Sequence, residues 1–264
     1  MSRVAVLIPV WNAQRDVERT LLSIDRQPEA FDLVVVDDGS EPVLRIDPSA
    51  WRHSIHLIRL AQHRGAAAAR NAGLRYIFER SYEYVALQDA GDSDIDGRLS
   101  KQIVFLDAHP EIGVVGSWAQ YVDTAGEPLY VHKPPADTRG IRKRMCYVLA
   151  FPNPACMFRA AALKTIGLYD ESFPIASDYE LLFRLTRRYP SANMQEILIL
   201  KEDNPLGLSL SKRKLSLLYR LKTQVRYFAW TSLHAYLGIG STLVLLVLPY
   251  RLVGAIKTWR KFAK

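Results

Sequence analysis

Residues 84–98 read Tyr-Val-Ala-Leu-Gln-Asp-Ala-Gly-Asp-Ser-Asp-Ile-Asp-Gly-Arg, a short apolar run followed at once by four aspartates. The run Tyr84–Leu87 predicts a buried strand. The aspartates place oxygen ligands after the carboxyl end of that strand, and such ligands suit a hard divalent cation such as Mg²⁺ or Mn²⁺. Open α/β sheets also bind their ligands at this edge. The alternative is a polar turn before a helix at Arg98–Ala108, because acidic residues are favoured in the first turn of a helix.

Apolar runs and helical periodicity alternate on the N-terminal side of this stretch. The order strand, helix, strand, strand, helix, strand predicts an α/β fold with parallel pairing and right-handed crossovers. Strands are predicted at Val4–Ile8, Leu33–Val36 and Ile55–Leu60, and helices at Asn12–Arg26 and Gly65–Arg80. Further along, we predict sheet at 112–122, a loop at 132–138 and a helix at Tyr179–Arg188.

A second predicted strand also ends in acidic residues, Asp37 and Asp38. Two adjacent carboxylates repel each other unless a ligand, a cation or a hydrogen-bond donor uses them. The pair therefore indicates a second contribution to a ligand site at the same sheet edge. An Asp-Gly turn made by Asp38 and Gly39 is the alternative.

Several short motifs, taken in their order and spacing, resemble those of the inverting family 2 glycosyltransferases. The resemblance covers residues 4–200, and the motifs are specific as a set although each one alone is weak. They are Ile8-Pro9-Val10-Trp11-Asn12, Val34-Val35-Val36-Asp37-Asp38-Gly39-Ser40, His63-Arg64-Gly65 with Ala69-Arg70-Asn71-Ala72-Gly73, and Leu87-Gln88-Asp89-Ala90-Gly91-Asp92.

The resemblance implies a GT-A fold, in which a Rossmann-like nucleotide half and an acceptor half share one central, mostly parallel sheet flanked by helices. It implies that Pro9 and Trp11 flank the base of a nucleotide-sugar and that Asp38 bonds the base or the ribose. It also implies that Arg70 lies near the diphosphate. Asp89 would belong to the DXD-type motif that holds the ribose and a metal ion.

This sequence departs from the family pattern at the metal motif. The family usually has Asp-X-Asp, whereas this chain has Asp89-Ala90-Gly91-Asp92, so Gly91 falls where the second metal-facing carboxylate is expected. Asp92 could supply that oxygen directly or through water, because Mg²⁺ commonly keeps several waters. A divalent cation, Mn²⁺ or Mg²⁺, is therefore expected at Asp89 and Asp92, with the dependence weakened by Gly91.

A second departure lies at the start of a later helix. The family usually has Glu-Asp-Tyr there, with the Asp as catalytic base, and this chain has Ser177-Asp178-Tyr179. The resemblance thus implies that Asp178 is the base. The alternative is that Ser177 or Asp178 only caps the helix.

The net charge of +8 is unevenly distributed. No Asp or Glu follows Asp203, whereas eleven of the 35 Lys and Arg residues do. A basic excess confined to the most apolar part of the chain points to an anionic membrane surface rather than to nucleic acid. The two cysteines, Cys146 and Cys156, fit no metal spacing, and the N-terminus lacks a signal-peptide pattern, which together favour the cytosol.

The C-terminal region, 206–264, is predicted to be a helical appendage to a glycosyltransferase domain at 1–205. Ser211–Arg226 reads as a basic helix, and Tyr227–Tyr250 contains no charged residue. Because both flanks are basic, we predict an in-plane or re-entrant hairpin on the cytoplasmic side of the membrane, broken near Gly238–Gly240 or at Pro249. The alternative is a helix pair packed on the enzyme or on a second subunit, which would make the chain a homo-oligomer.

These features predict an enzyme that moves a single sugar from a nucleotide-diphosphate sugar to an acceptor hydroxyl. A glycan or lipid-linked acceptor, in cell-envelope polysaccharide or lipid-linked glycan synthesis, is expected from the basic and apolar tail. One alternative is a catalytically inactive, nucleotide-binding scaffold, which the departures at Gly91 and Ser177 allow. A sugar nucleotidyltransferase is a further alternative, although its Gly-rich, Arg-containing loop is missing after the first strand.

Overall fold

The structure, a computed structural model, describes residues 2–202 and 212–248. A central sheet of nine strands forms its core, in the order β3-β2-β1-β4-β8-β6-β9-β5, with β7 paired to β6. The strands are β1 (Val4–Val10), β2 (Asp32–Asp37), β3 (Ser54–Arg59), β4 (Tyr84–Leu87), β5 (Ser93–Asp94), β6 (Val114–Val122), β7 (Pro128–His132), β8 (Met157–Arg159) and β9 (Ser191–Glu202).

The N-terminal half of the sheet, β3-β2-β1-β4, is parallel throughout. Its connections are the helices α1 (Gln14–Asp25) and α2 (Ala66–Phe78). The predicted strands and helices of this half are confirmed with shifts of one or two residues at their ends. Continuous apolar strands of this kind are typical of a sheet covered on both faces.

The C-terminal half is mixed rather than mostly parallel. Strand β6 runs parallel to β9 but antiparallel to β7 and β8, and β5 is antiparallel to β9. The turn between β6 and β7 is closed by Asp123, whose N–H donates to the carbonyl of Glu127. A connection this short can join only antiparallel strands.

Helices cover both faces of the sheet. The residues of β1 alternate between the two layers: Ala5 and Leu7 pack with α2 and α6, whereas Val4, Val6 and Ile8 pack with α1 and α3. The approach of α2 is close, because a Cβ at Gly73 would lie 2.2 Å from Leu7 Cδ1. The remaining helices of this part are α3 (Arg98–Ala108), α4 (Thr138–Met145), α5 (Ala160–Ile166) and α6 (Ser177–Arg188).

Two further helices, α7 (Arg213–Arg226) and α8 (Leu233–Val247), pack together and against the α/β body. The Tyr147 hydroxyl hydrogen-bonds to Nδ1 of His234 at 2.9 Å, and Gly238 lies against the carbonyl of Cys146. The predicted break near Gly238–Gly240 is wrong, because α8 continues through both glycines and packing holds the helix there. The second predicted break, Pro249, lies outside the described residues.

Among the described residues, no helix combines the length and the apolar character needed to cross a membrane. Helix α8, at 15 residues, is about 22 Å long.

Candidate functional site

The loops that carry the predicted site residues leave the sheet at one edge. The backbone N–H of Asp38 donates to the carbonyl of Val10 at 2.8 Å, and that of Gln88 donates to the carbonyl of Leu7 at 3.1 Å. These bonds extend the parallel pairing of β1, β2 and β4 just beyond their carboxyl ends. The sequence motifs after the three strands are therefore neighbours in space.

Arg70 connects the acidic turn after β4 with the start of α6. Its Nη2 donates to Oδ1 of Asp89 at 2.8 Å, and its guanidinium lies 5.6 Å from the ring centroid of Tyr169. Burial would lower the pKa of Arg70, but the negative groups around it, Asp89 foremost and Asp178 among them, hold that pKa above its ordinary value. Three predicted site residues, Arg70, Asp89 and Asp178, thus share one electrostatic environment.

Two buried side chains at this place have polar atoms without a hydrogen-bond partner. They are Arg70, through its Nε, and Asn153, through both amide atoms. Although burial would raise the pKa of Asp89, the charges of Arg70 and Lys201 hold it below its usual value, with Asn153 contributing. Buried polar groups normally find partners, so unpaired ones at a sheet edge indicate a place for a ligand.

Each of the four aspartates after β4 is paired with a different cationic side chain, Asp96 with Arg26 at 3.7 Å on the surface. Asp89 pairs with Arg70 at 2.8 Å and Asp92 with Lys201 at 2.8 Å, while Asp94 pairs with Arg98. Asp94 and Arg98 are fully buried, so this pair stabilises the turn rather than facing a ligand.

Asp92 is bonded at both carboxylate oxygens. Oδ2 accepts from Nζ of Lys201, and Oδ1 accepts from the backbone N–H of Glu202 at 3.3 Å. Burial raises the pKa of Asp92 to about 6, which still leaves it ionised at neutral pH beside Lys201. The sequence did not indicate Lys201, because 109 positions separate it from Asp92.

The two carboxylates predicted to share a divalent cation fit that role only in part. Asp89 is partly exposed, but Asp92 would have to leave Lys201 to become a ligand. Gly91 has a φ of +102°, and a Cβ there would point toward Arg19 and Asp16 on α1. Within 2–202 and 212–248, no three His, Cys, Asp or Glu side chains are grouped so as to hold a metal ion. The metal assignment to Asp89 and Asp92 stays a prediction.

Asp38 is buried and fully hydrogen-bonded by the protein itself. It accepts from the backbone N–H groups of Arg64 and Gly65, both at 2.8 Å, and lies 2.9 Å from Nδ1 of His63. Its neighbour Asp37 accepts from the N–H of Ser40 and from Arg59. The donors that this acidic pair was predicted to need therefore come from the chain, and Asp38 fixes the loop that carries His63.

Trp11 and His63 stack on each other with their ring centroids 3.9 Å apart. The Trp11 side chain remains 49% exposed, so one aromatic surface is open to a planar ligand. Pro9 lies two residues earlier, half-buried in β1. A cleft of about 630 Å³, lined by residues that include Asn12, Ser40 and Glu41, opens beside this pair.

Asp178 lies in the first turn of α6, half-buried. The helix begins at Ser177 after Ala176, a left-handed residue with φ of 60°, and no side chain caps it. Asp178 Oδ1 accepts only from the N–H of Tyr179, at 2.8 Å. The alternative that Ser177 or Asp178 is the helix cap is therefore wrong.

Residues 5–167 match the sequence family described as Glycosyl transferase family 2. The chain is 29% identical to EpsE of Bacillus subtilis over 63% of this chain and 60% of EpsE. It is 26% identical to the amylovoran biosynthesis glycosyltransferase AmsE of Erwinia amylovora, over 74% of each chain. The chain thus spans less than two thirds of EpsE.

Solved structures share the fold at low identity. TarS of S. aureus in complex with UDP-GlcNAc aligns with a TM-score of 0.66 at 17% identity, over 92% of this chain and 72% of that one. The mannosyltransferase PcManGT of Pyrobaculum calidifontis, in complex with GDP-Man and Mn²⁺, aligns with a TM-score of 0.64 at 17% identity, over 99% and 80%.

Proposed function

Because the chain belongs to glycosyl transferase family 2, we propose that it is an inverting GT-A glycosyltransferase. It would move a single sugar from a nucleotide-diphosphate sugar to an acceptor hydroxyl. The observation that carries this proposal is the position of Arg70, which is bonded to Asp89 and whose pKa is also raised by the charge of Asp178. A cation between a nucleotide-binding turn and a candidate base suits the transfer of a group away from a diphosphate.

In the proposed reaction, Asp178 accepts the proton of the acceptor hydroxyl as that oxygen bonds to the sugar C1. The bond from C1 to the donor phosphate oxygen breaks on the opposite face, and its electron pair leaves with the nucleoside diphosphate. Arg70 offsets the charge that develops there, and its unpaired Nε is one donor available for this purpose. Attack on the face opposite the leaving group inverts the configuration at C1.

The nucleotide would lie against the open face of Trp11 near Pro9, as the resemblance implies. The stacking of His63 on the other face of Trp11 supports this, since it holds the indole in place. Asp38 then acts on the nucleotide through the loop that it fixes, because its two oxygens are already bonded to residues 63–65.

One solved neighbour, PcManGT, is in complex with Mn²⁺, but Asp89 and Asp92 of this chain fit such an ion only in part. In this structure the carboxylate of Asp89 is partly exposed and could bind such an ion, whereas the carboxylate of Asp92 is paired with Lys201. We therefore assign the stabilisation of negative charge on the departing diphosphate to residues of this chain, chiefly Arg70.

The acceptor is proposed to be a growing glycan or a lipid-linked glycan of the cell envelope. The names of two relatives, the amylovoran biosynthesis glycosyltransferase AmsE and the succinoglycan biosynthesis protein ExoU of Rhizobium meliloti, support this class. The relatives do not identify the sugar.

We also propose that α7 and α8, part of the appendage at 206–264, bind the cytoplasmic face of an anionic membrane. Large apolar side chains along this pair are exposed rather than packed: Leu218, Val225, Trp230, Leu233, Tyr236, Leu237, Leu243, Val244 and Val247. Lysine and arginine residues of α7 lie beside them. An exposed apolar face with basic neighbours is typical of helices that lie in the membrane interface.

A panel of nucleotide-sugars tests the proposed function. The full-length protein is titrated with UDP- and GDP-sugars in a thermal-shift assay, and those that raise Tm are then tested for donor hydrolysis. We expect one nucleotide class to raise Tm and to be hydrolysed slowly. If a nucleotide-sugar binds but is neither transferred to an acceptor nor hydrolysed, the scaffold alternative is favoured. If neither UDP- nor GDP-sugars bind, the proposal is contradicted.

A further inference from the structure

Lys201 provides a positive charge at the acidic turn after β4. It is the penultimate residue of β9, opposite Tyr121 of β6, and its Nζ lies 2.8 Å from Oδ2 of Asp92. The side chain of Asp92 is 6% exposed, whereas that of Lys201 is 27% exposed. Lys201 is thus a partly exposed side chain whose ammonium is anchored on a buried carboxylate.

The surroundings of Asp92 hold this pair in place. The carbonyl of Asp92 accepts from Oγ1 of Thr20 at 2.8 Å and from Nε2 of Gln88 at 3.0 Å. Its Oδ1 accepts from the N–H of Glu202. The backbone and the carboxylate are therefore both fixed, and a divalent cation could bind Asp92 only by displacing Lys201.

Lys201 also acts on the other carboxylate of the site. Its charge is close enough to Asp89 to lower the pKa of that carboxyl group, as does the charge of Arg70. Arg70 and Lys201 together bring two positive charges to Asp89 and Asp92, the same charge that one divalent cation would bring to them. An ammonium has three N–H donors, of which Asp92 uses one.

We propose that Lys201 replaces the divalent cation in this chain, with its ammonium, anchored on Asp92, binding the diphosphate of the donor. Donor binding and transfer then need no added metal ion. The inference rests on the proposed function, since it requires a nucleoside diphosphate at this edge of the sheet. Gly91 agrees with it, because the position where a second metal-facing carboxylate is expected has a left-handed φ and faces α1 instead.

Isothermal titration of the full-length protein with UDP and with GDP tests the inference. Each titration is done in EDTA and again in Mn²⁺, on the unaltered protein and on three variants: Lys201→Met, Lys201→Arg and Lys101→Met. Lys101, on α3, is the matched control. It is paired with the carboxylate of Glu196 on β9, and both side chains are exposed.

The unaltered protein should bind one of the two nucleotides in EDTA with a Kd within about twofold of that in Mn²⁺. Lys201→Met should weaken this binding by about tenfold or more in EDTA, as expected for loss of a charge-assisted hydrogen bond. Mn²⁺ should restore part of the affinity to this variant, because Asp92 is then free to act as a ligand. Lys201→Arg, which keeps the charge, should bind more tightly in EDTA than Lys201→Met, and Lys101→Met should stay close to the unaltered protein.

Nucleotide binding by the unaltered protein in Mn²⁺ but not in EDTA would overturn the inference and leave the proposed function intact. Equal Kd values for Lys201→Met and the unaltered protein in EDTA would overturn it as well. Absence of binding to both nucleotides, with and without Mn²⁺, would overturn the proposed function together with the inference. The comparison in EDTA on the unaltered protein does not depend on how any variant folds.

Discussion

Arg70 is bonded to Asp89 through one Nη atom at 2.8 Å, while its buried Nε has no partner. The ion pair therefore orients the guanidinium without using all of its donors. Because the charge of Asp178 also raises the pKa of Arg70, a ligand that accepts from this guanidinium would lie in the electrostatic field of both carboxylates. This relationship underlies the first prediction.

Asp178→Asn should abolish sugar transfer and leave donor binding unchanged. The amide keeps an Oδ1 that can accept from the N–H of Tyr179, so the start of α6 should persist. It cannot take up a proton at working pH, and positioned bases contribute roughly 10²–10⁴-fold. The loss should appear in kcat, measured with the donor found in the nucleotide-sugar panel.

Asp170→Asn is the control for that experiment. Asp170 is another partly exposed carboxylate after α5, but it is paired with Arg226 rather than placed near Arg70. Its variant should transfer at close to the normal rate. Near-normal transfer by Asp178→Asn, or a full loss in Asp170→Asn, would assign the base to a residue other than Asp178.

Asp38→Ala should lower both nucleotide affinity and stability. Without the carboxylate, the part-buried backbone N–H groups of Arg64 and Gly65 lose their acceptor. A buried donor left unpaired costs about 1–3 kcal/mol. Thermal unfolding and isothermal titration with UDP and GDP measure the two effects separately.

His63→Ala distinguishes a direct role of Asp38 from an indirect one. It removes the stacking on Trp11 but keeps both backbone bonds to Asp38. We expect weaker nucleotide binding with little change in Tm. Unchanged affinity in both variants would remove Asp38 and His63 from the nucleotide site.

Gly238→Ala should destabilise the packing of α8, whereas Gly240→Ala should not. A Cβ at Gly238 would lie 2.0 Å from the carbonyl oxygen of Cys146, and a Cβ at Gly240 has no heavy atom within 4 Å. Overpacking typically costs about 1–3 kcal/mol, while alanine in an open helical position gains up to about 1 kcal/mol over glycine. Chemical denaturation of the two variants should therefore give changes of opposite sign, and equal changes would mean that α8 does not pack on Cys146.

Replacing three exposed apolar residues of α8, Leu233, Leu237 and Val244, with glutamine should reduce membrane binding. Co-sedimentation with vesicles rich in phosphatidylglycerol measures it, and we expect the bound fraction to fall by roughly tenfold or more because the apolar contact area is lost. Val104→Gln, at an exposed position of α3, is the control and should bind as before. If the unaltered protein does not sediment with these vesicles, the membrane proposal is wrong.

The sequence predicted the parallel half of the sheet because its signals there are local. The apolar run Val4–Ile8 is buried throughout, and the helix Arg98–Ala108 has the bounds that its periodicity predicts. The polar residues after each strand could be placed at one edge because parallel strands end on the same side of a sheet. Asp89 was singled out for this reason, Arg70 and Asp178 through the family resemblance, and the roles of all three stay predictions.

The sequence did not predict the contacts that depend on distant pairing. Strand β9 has no regular alternation of polar and apolar residues, and its pairing with β6 contains register shifts near Trp118. The antiparallel pairing of β9 with β5, in which Ser93 lies opposite Leu200, brings Lys201 to Asp92. The prediction of a break in α8 was wrong for a related reason. Gly238 allows the helix to approach Cys146 closely and does not form a turn.

Glu180 is buried in α6 and accepts from the hydroxyl of Tyr227, just after α7, at 2.6 Å. Arg226 at the end of α7 is paired with Asp170, near the start of the same helix. Helix α6, which carries Asp178, is thus bonded directly to the end of α7, part of the helix pair proposed to bind the membrane. If α7 and α8 settle at a fixed depth, Asp178 is held at a fixed height above the bilayer. The enzyme would then extend only those acceptor chains whose terminal hydroxyl reaches that height.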